Sequence, residues 1–211
     1  MVHISDGVLS PPVLAAGFAL AGLLLFVTLR DVRAEEIPKI SLITAAVFVA
    51  SLVHFPVGPT SVHLVMNGLA GILLGKRAFV SVAVALTLQA VLFQHGGISV
   101  IGVNAVNMGI PALLAWKIFQ GRRRLPSPRR EVVFGGLAGG AAVLGATLIL
   151  SAELLVLGEA FTEIAALVLA VHIPIILIET AVVGLAAGFL QAVKPEMLIA
   201  PQGSGYGGVR S

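Results

Sequence analysis

Long apolar runs alternate with short polar breaks along most of the chain. The runs extend from about Pro12 to Leu29, Ile40 to Phe55, His63 to Leu74, Ala78 to Phe93, Ile98 to Phe119, Val132 to Leu157 and Ala165 to Val193. Between them lie RDVRAEEIPK, HFPVGPTS, GKR, QHGG, GRRRLPSPRRE and EAFTE. A helix needs roughly 20 apolar residues to cross a bilayer, and only the third run falls well short. The runs are continuous and lack the alternation of a transmembrane β-barrel strand. The pattern therefore predicts an all-α membrane protein, a bundle of about seven transmembrane helices. Residues 1–195 form one membrane domain without an evident internal repeat. Residues 196–211, ending in PQGSGYGGVRS, are Gly-rich and expected to be a disordered cytoplasmic tail.

Composition agrees. The 211 residues are 58% hydrophobic and 11% charged, with mean hydropathy +1.05, whereas soluble domains carry roughly a quarter charged residues. There is no Cys, which excludes disulfides, thiolate metal sites, iron–sulfur clusters and covalent c-type haem attachment. In a membrane chain a net charge of +3 reports topology rather than a nucleic-acid partner. No basic region precedes the first run, so a cleaved signal peptide is not expected. With the N-terminus outside, Arg30, Arg33, Lys39, Lys76, Arg77, the Arg122 to Arg130 loop, Lys194 and Arg210 all fall on the inner side. The reverse orientation places them all outside. The positive-inside rule thus predicts a multi-pass protein of the cell membrane, N-terminus outside and C-terminus cytoplasmic.

That topology carries the five histidines, His3, His54, His63, His95 and His172, to or near the outer face. Neutral imidazole is the commonest protein metal ligand and suits nickel, copper and zinc. The opening MVHISDG has a further chelating capacity. As written, Met1, Val2 and His3 offer an amine, two amide nitrogens and an imidazole. With Met1 excised, which a small second residue permits, the Val2 amine, the His3 amide and ring and one more histidine supply four nitrogens. Such a set favours square-planar metal ions. In GPTSVHLVMNGLAGILLG, the Gly58-Pro59-Thr60 turn can fold His63 back toward the N-terminal segment. In FQHGGISVIGVNAVNMG, His95, Asn104 and Asn107 cluster; polar side chains in hydrocarbon face the bundle or a cavity, and orienting a ligand is a more natural role for them than coordination. HIPIILIET sets His172 and Glu179 seven residues apart on one helix face, for function or for a packing hydrogen bond.

VHISDGVLSPP, TSVHLVMNGLAGILLG, LFQHGG with GVNAVNMG, and HIPIILIET occur in that order, and over about 195 residues the chain resembles the CbiM/NikM family. These are the substrate-capturing S components of energy-coupling-factor transporters for cobalt and nickel. The resemblance implies seven helices and an added N-terminal segment, residues 1–11, inserting into the bundle from outside. It implies capture of Co²⁺ or Ni²⁺ as transported substrate, with no cofactor. The ligands it implies are the terminal amine, the amide and ring of His3, and His63. Family members begin Met-His, whereas here Val2 intervenes, so excision of Met1 would make Val2 the amine donor. Asp6, His95, Asn104, Asn107, His172 and Glu179 are the surrounding candidates. The implied partners are a transmembrane coupling (T) subunit, cytoplasmic ATPase subunits and a small accessory membrane subunit.

No GxxxxGK[ST] stretch is present, so ATP hydrolysis would belong to partners, and no HExxH marks a metalloprotease. A self-sufficient secondary carrier and a bis-histidine haem protein are the competing classes. Small-residue spacings allow close helix approach. Ala46-x-x-x-Ala50, or secondarily Ala15-x-x-x-Ala19, is the expected face for a coupling subunit. Gly135-x-x-x-Gly139 and Gly136-x-x-x-Gly140 are expected to pack internally. The Arg122 to Arg130 loop suits anionic lipid, and no nucleic-acid partner is expected.

Overall fold

Pro11 and Pro12 open the first helix, where proline's missing N–H costs nothing, and α1 runs Pro11–Leu29. A computed structural model describes residues 3–52, 54–57 and 60–198, with the backbone alone for 54–57 and 60–63. Within the described residues α2 is Ile37–Leu52, followed by short strands β1 His54–Val57 and β2 Thr60–His63, then α3 Asn67–Leu74 and α4 Ala78–Phe93. The remaining helices are α5 Ile101–Gln120, α6 Arg130–Val156 and α7 Thr162–Val193.

Most helix ends fall within three residues of the apolar pattern, and two boundaries around the second break show why they differ. The second helix ends at Leu52 rather than Phe55, and the third begins at Asn67 rather than His63. Between them β1 and β2 pair antiparallel, with His54 opposite His63 and Val57 opposite Thr60. Pro56 explains the break, since proline lacks the helical N–H and biases the residue before it away from the α region. The hairpin accounts for the fold-back expected there, although Gly58 and Pro59 lie outside the described residues.

At eight residues α3 is about 12 Å long, less than half a bilayer core. It runs parallel to α5, with Asn67 at Met108 and Gly71 against the Ala112 carbonyl. The chain then reverses at Gly75, whose φ of +60° suits a residue without Cβ. Returning, α4 lies parallel to α2, linked by Thr44–Ser81 (3.0 Å) and Ser51–Gln89 (2.5 Å) hydrogen bonds. Among the described residues, five stretches are long and apolar enough by length and composition to cross a membrane: Pro11–Leu29, Asn67–Phe93, which includes the reversal at Gly75, Ile101–Arg124, Arg130–Val156 and Glu159–Val193. Pro11–Leu29 and Glu159–Val193 expose most of their apolar surface, whereas Asn67–Phe93 is largely buried by its neighbours. Leu177, Leu185 and Phe189 on α7 are each about two-thirds exposed, while His172 and Glu179 on the same helix are buried. Such a face, apolar outside and polar inside, inverts the soluble pattern.

Helices α6 and α7 approach closely through the glycines expected to pack internally. A Cβ on Gly135 would lie 2.6 Å from that of Ala187, and one on Gly139 2.7 Å from the Glu179 carbonyl oxygen. At one end of the bundle Arg77 is buried. Its guanidinium donates to Asp31 (2.9 Å), Glu36 (2.6 Å), the Asp31 carbonyl (2.7 Å) and the Thr28 carbonyl. Lys76 also pairs with Asp31, and Lys76 first, then Arg77, holds the Asp31 carboxyl down at about 2. At the same end a 3₁₀ turn, Pro195–Leu198, is tied down by Lys39 to the Met197 carbonyl (2.8 Å) and Arg122 to that of Leu198 (3.4 Å). These contacts hold residues 195–198 against the helices. The remainder of the expected tail lies outside the described residues.

Candidate functional site

The opposite end holds the N-terminal segment, pinned by two side chains. Asn104, four residues into α5, treats Ile4 as a neighbouring strand would. The Ile4 N–H donates to Asn104 Oδ1 (2.9 Å), and Asn104 Nδ2 donates to the Ile4 carbonyl (3.0 Å). Ile4 itself is buried, so both backbone groups would otherwise be costly orphans. Asp6 secures the next turn. Its N–H donates to the Gly96 carbonyl (2.8 Å), and its Oδ1 accepts the Ser99 N–H (3.1 Å) and hydroxyl (2.5 Å). The carboxylate lies where a Gly97 side chain would be, and Gly97 has φ +119°, so only glycine fits there.

These anchors carry His3 into the bundle, where it is 6% exposed with Nε2 3.1 Å from the Met108 sulfur. Met108 is one helical turn beyond Asn104, so one face of α5 holds both Ile4 and His3. The Met108 carbonyl accepts a hydrogen bond from Asn67 Nδ2 (3.1 Å) at the start of α3. Asn67 is four residues after His63, so the N-terminal segment and the chain leaving β2 meet on Met108. Just upstream, the Val65 and Met66 N–H groups both donate to Glu179 Oε1, at 2.6 and 2.8 Å.

The structure thus gathers His3, Asp6, His95 and Asn104 at one end. Half-buried His95 packs its ring against Phe93 (6.3 Å between centroids) and joins Ser5, Asp6, Gln94, Gly96 and Gly97 around an open pocket. A side chain on Gly96 would come within 3.8 Å of His3 Cβ. The other candidates have separate attachments. Asn107 donates to Glu153 (2.6 Å), and His172 uses Nδ1 toward the Val168 carbonyl (2.7 Å) one turn back on α7. Glu179 serves the β2–α3 segment. Met1, Val2 and the His63 side chain lie outside the described residues. Among those described, no three His, Asp or Glu side chains gather as a metal-binding group.

Sequence reasoning passed over Met108, Asn67 and Glu153, and read Arg77 only as a topology marker. The first two sat in quoted stretches, VNMG and VMNG, where Met108 reads as core and Asn67 as a helix start. Glu153 lay within an apolar run beside small residues, and a carboxylate in a span is itself the signal that could have found it.

Chemically, the arrangement presents a buried imidazole beside a thioether, on a segment whose backbone is hydrogen-bonded to the bundle. Neutral nitrogen donors of this kind suit late first-row divalent ions.

The family model described as "CbiM: Cobalt uptake substrate-specific transmembrane region" matches residues 3–197. A Haemophilus influenzae protein named for metal transport is 35% identical over 199 residues, 93% of this chain and 97% of its own length. The fused nickel transport protein NikMN of Rhodobacter capsulatus is 35% identical over 161 residues, 72% of this chain but 46% of that longer protein. A crystal structure of a transition metal transporter superposes with TM-score 0.74 and 25% identity, covering 90% of this chain and 93% of that one.

Proposed function

Because this chain belongs to the CbiM family of cobalt-uptake substrate-specific transmembrane regions, we propose that it is the substrate-capturing S component of an ATP-driven energy-coupling-factor importer for Co²⁺ or Ni²⁺. It is a multi-pass protein of the cell membrane, with the histidine end facing outward and the Arg77 end facing the cytoplasm. The ion is captured by the amide and ring of His3, the ring of His63 and the amine of Val2 after excision of Met1. Reorientation then releases it inward. The observation that carries this reading is the convergence on Met108 of buried His3 and of Asn67, four residues after His63.

The sequence has no GxxxxGK[ST] stretch, and the proposal assigns the driving force to a coupling subunit and cytoplasmic ATPases. The fusion named in the Rhodobacter capsulatus relative supports assembly with a further component, and a small accessory membrane subunit is part of the proposal. Ala46 and the partly exposed Ala50 lie on the outer surface of α2, open for a coupling subunit. Ala15 and Ala19 on α1 are exposed as well.

Bound-metal analysis and uptake of Ni²⁺ and Co²⁺ by the full transporter test this. His3→Ala, His63→Ala and an N-terminally extended chain are expected to lose binding and uptake. Undiminished binding in the extended chain removes the amine from the ligand set, and retention of Met1 by intact mass in metal-loaded protein removes Val2. Uptake by this chain without ATPase subunits would favour a secondary carrier instead.

A further inference from the structure

We infer that Glu179 is a positioning residue for metal capture: its carboxylate, from the middle of α7, sets the place of the chain leaving β2 and so the place of His63. This rests on the assignment of His63 as a ligand.

The geometry is specific. Glu179 is 0% exposed, and a single oxygen, Oε1, accepts both the Val65 and Met66 N–H groups at 2.6 and 2.8 Å. These amides lie two and three residues after His63 and directly before α3, whose unpaired N–H end a carboxylate suits. Met66 between them holds φ +54°, a left-handed conformation that bulky residues keep only when their surroundings impose it. The surroundings do: Glu179 grips the N–H groups of 65 and 66, and Asn67 is held by the Met108 carbonyl. Residues 65 to 67 are thus fixed in succession, and His63 stands two residues from the first fixed amide.

The reach of Glu179 depends on three backbones meeting. A Cβ on Gly68 would lie 2.6 Å from Gly139 Cα, and one on Gly139 2.7 Å from the Glu179 carbonyl. Residues at that crossing bring α3, α6 and α7 close enough for a carboxylate on α7 to span to residues 65 and 66. Glu179 Oε2 has no hydrogen-bond partner among the described residues. Among the described residues, the side chain acts through Oε1 as an acceptor of two backbone N–H groups.

That acceptor role makes the inference testable with Ni²⁺ binding to the full chain in detergent or nanodiscs, alongside hydrogen exchange at residues 64–66. Glu179→Gln retains an Oε1 acceptor at the same reach and is expected to bind Ni²⁺ as the wild type does, with residues 65 and 66 still protected. Glu179→Asp keeps the charge but withdraws it by one methylene, and Glu179→Ala removes it. Both should lose protection at 65 and 66 and weaken Ni²⁺ binding on the order of 10-fold or more, the usual effect of losing a ligand-orienting group. Wild-type affinity in Glu179→Asp together with loss in Glu179→Gln would overturn the inference in favour of a role for the charge. Loss of protection at 65 and 66 with unchanged affinity would overturn it too. Wild-type Ni²⁺ binding by His63→Ala is a different failure, because it removes the ligand assignment on which the inference rests.

Discussion

A single amide side chain does for the N-terminal segment what a neighbouring strand would do. Asn104 offers both an acceptor and a donor to Ile4, and neither aspartate nor leucine can replace both functions. Each hydrogen bond contributes about 0.5–1.5 kcal/mol, and a buried partner left unsatisfied adds further cost. Asn104→Ala is therefore expected to release residues 3–6, seen as faster hydrogen exchange at Ile4 and Asp6, and to lower metal binding while helix content is unchanged. At the other end Asp31 gives a pH signature. Lys76 and Arg77 hold its carboxyl at about 2, below the ordinary value near 3.9. A depressed carboxyl contributes stability that is complete above the unfolded value and is lost as pH falls through the folded one. Thermal unfolding of wild type and Asp31→Asn should differ at pH 6, and the difference should shrink between about pH 4 and pH 2. An unchanging difference would show that Asp31 acts by shape alone. Asn104 could be nominated from sequence because a polar group stands out within an apolar run, His3 because the opening MVHISDG can chelate a metal, and Asp6 through the resemblance. Met108 could not, since its thioether looks like any core side chain until His3 is set beside it. Arg77 was read as a topology marker; its burial follows from Asp31 and Glu36, which lie more than forty positions away.

Elements were legible where length and apolarity alone decide them, as for α1, α4, α6 and α7. They were not legible where pairing across a break decides. Residues 54–74 become a hairpin and an eight-residue half-helix: the breaks at HFPVGPTS and GKR were legible, but not the strand pairing on either side of the turn or the start of the third helix at Asn67 instead of His63. The glycine spacings of α6 were read correctly as internal packing, since a closely approached helix leaves no room for a Cβ. What spacing did not reveal is the identity of the partner surfaces: α7 along Gly135 and Gly139, and α3 at Gly68. Gly139 meets both. A methyl there would press on the Glu179 carbonyl and on Val183 Cβ, each at 2.7 Å, and overpacking of that order costs about 1–3 kcal/mol. Gly139→Ala should lower the unfolding midpoint in micelles and expose the Val65 and Met66 amides. Gly22→Ala, where a Cβ would meet nothing within 4 Å, should leave both unchanged.

Across the whole molecule, polar chemistry divides between two ends. One gathers His3, Asp6, His95 and Asn104. The other gathers Arg77 with Asp31 and Glu36, and Lys39 and Arg122 on the Pro195–Leu198 turn. The contacts of Arg77, Lys39 and Arg122 place at one end cations that the positive-inside rule had grouped by loop counting. Grouping alone does not choose the side; the positive-inside rule would assign that end to the cytoplasm, and the proposed function then needs the histidine end outside. The chain contains no Cys, so single cysteines can report sidedness without a background. Ser10→Cys and Glu159→Cys, both exposed beside the histidine end, should react with a membrane-impermeant thiol reagent on intact cells. Ala34→Cys, exposed in the loop beside Arg77, should react only after permeabilisation. The reversed pattern would turn the site toward the cytoplasm, where His3 and His63 would meet the ion at release rather than at capture.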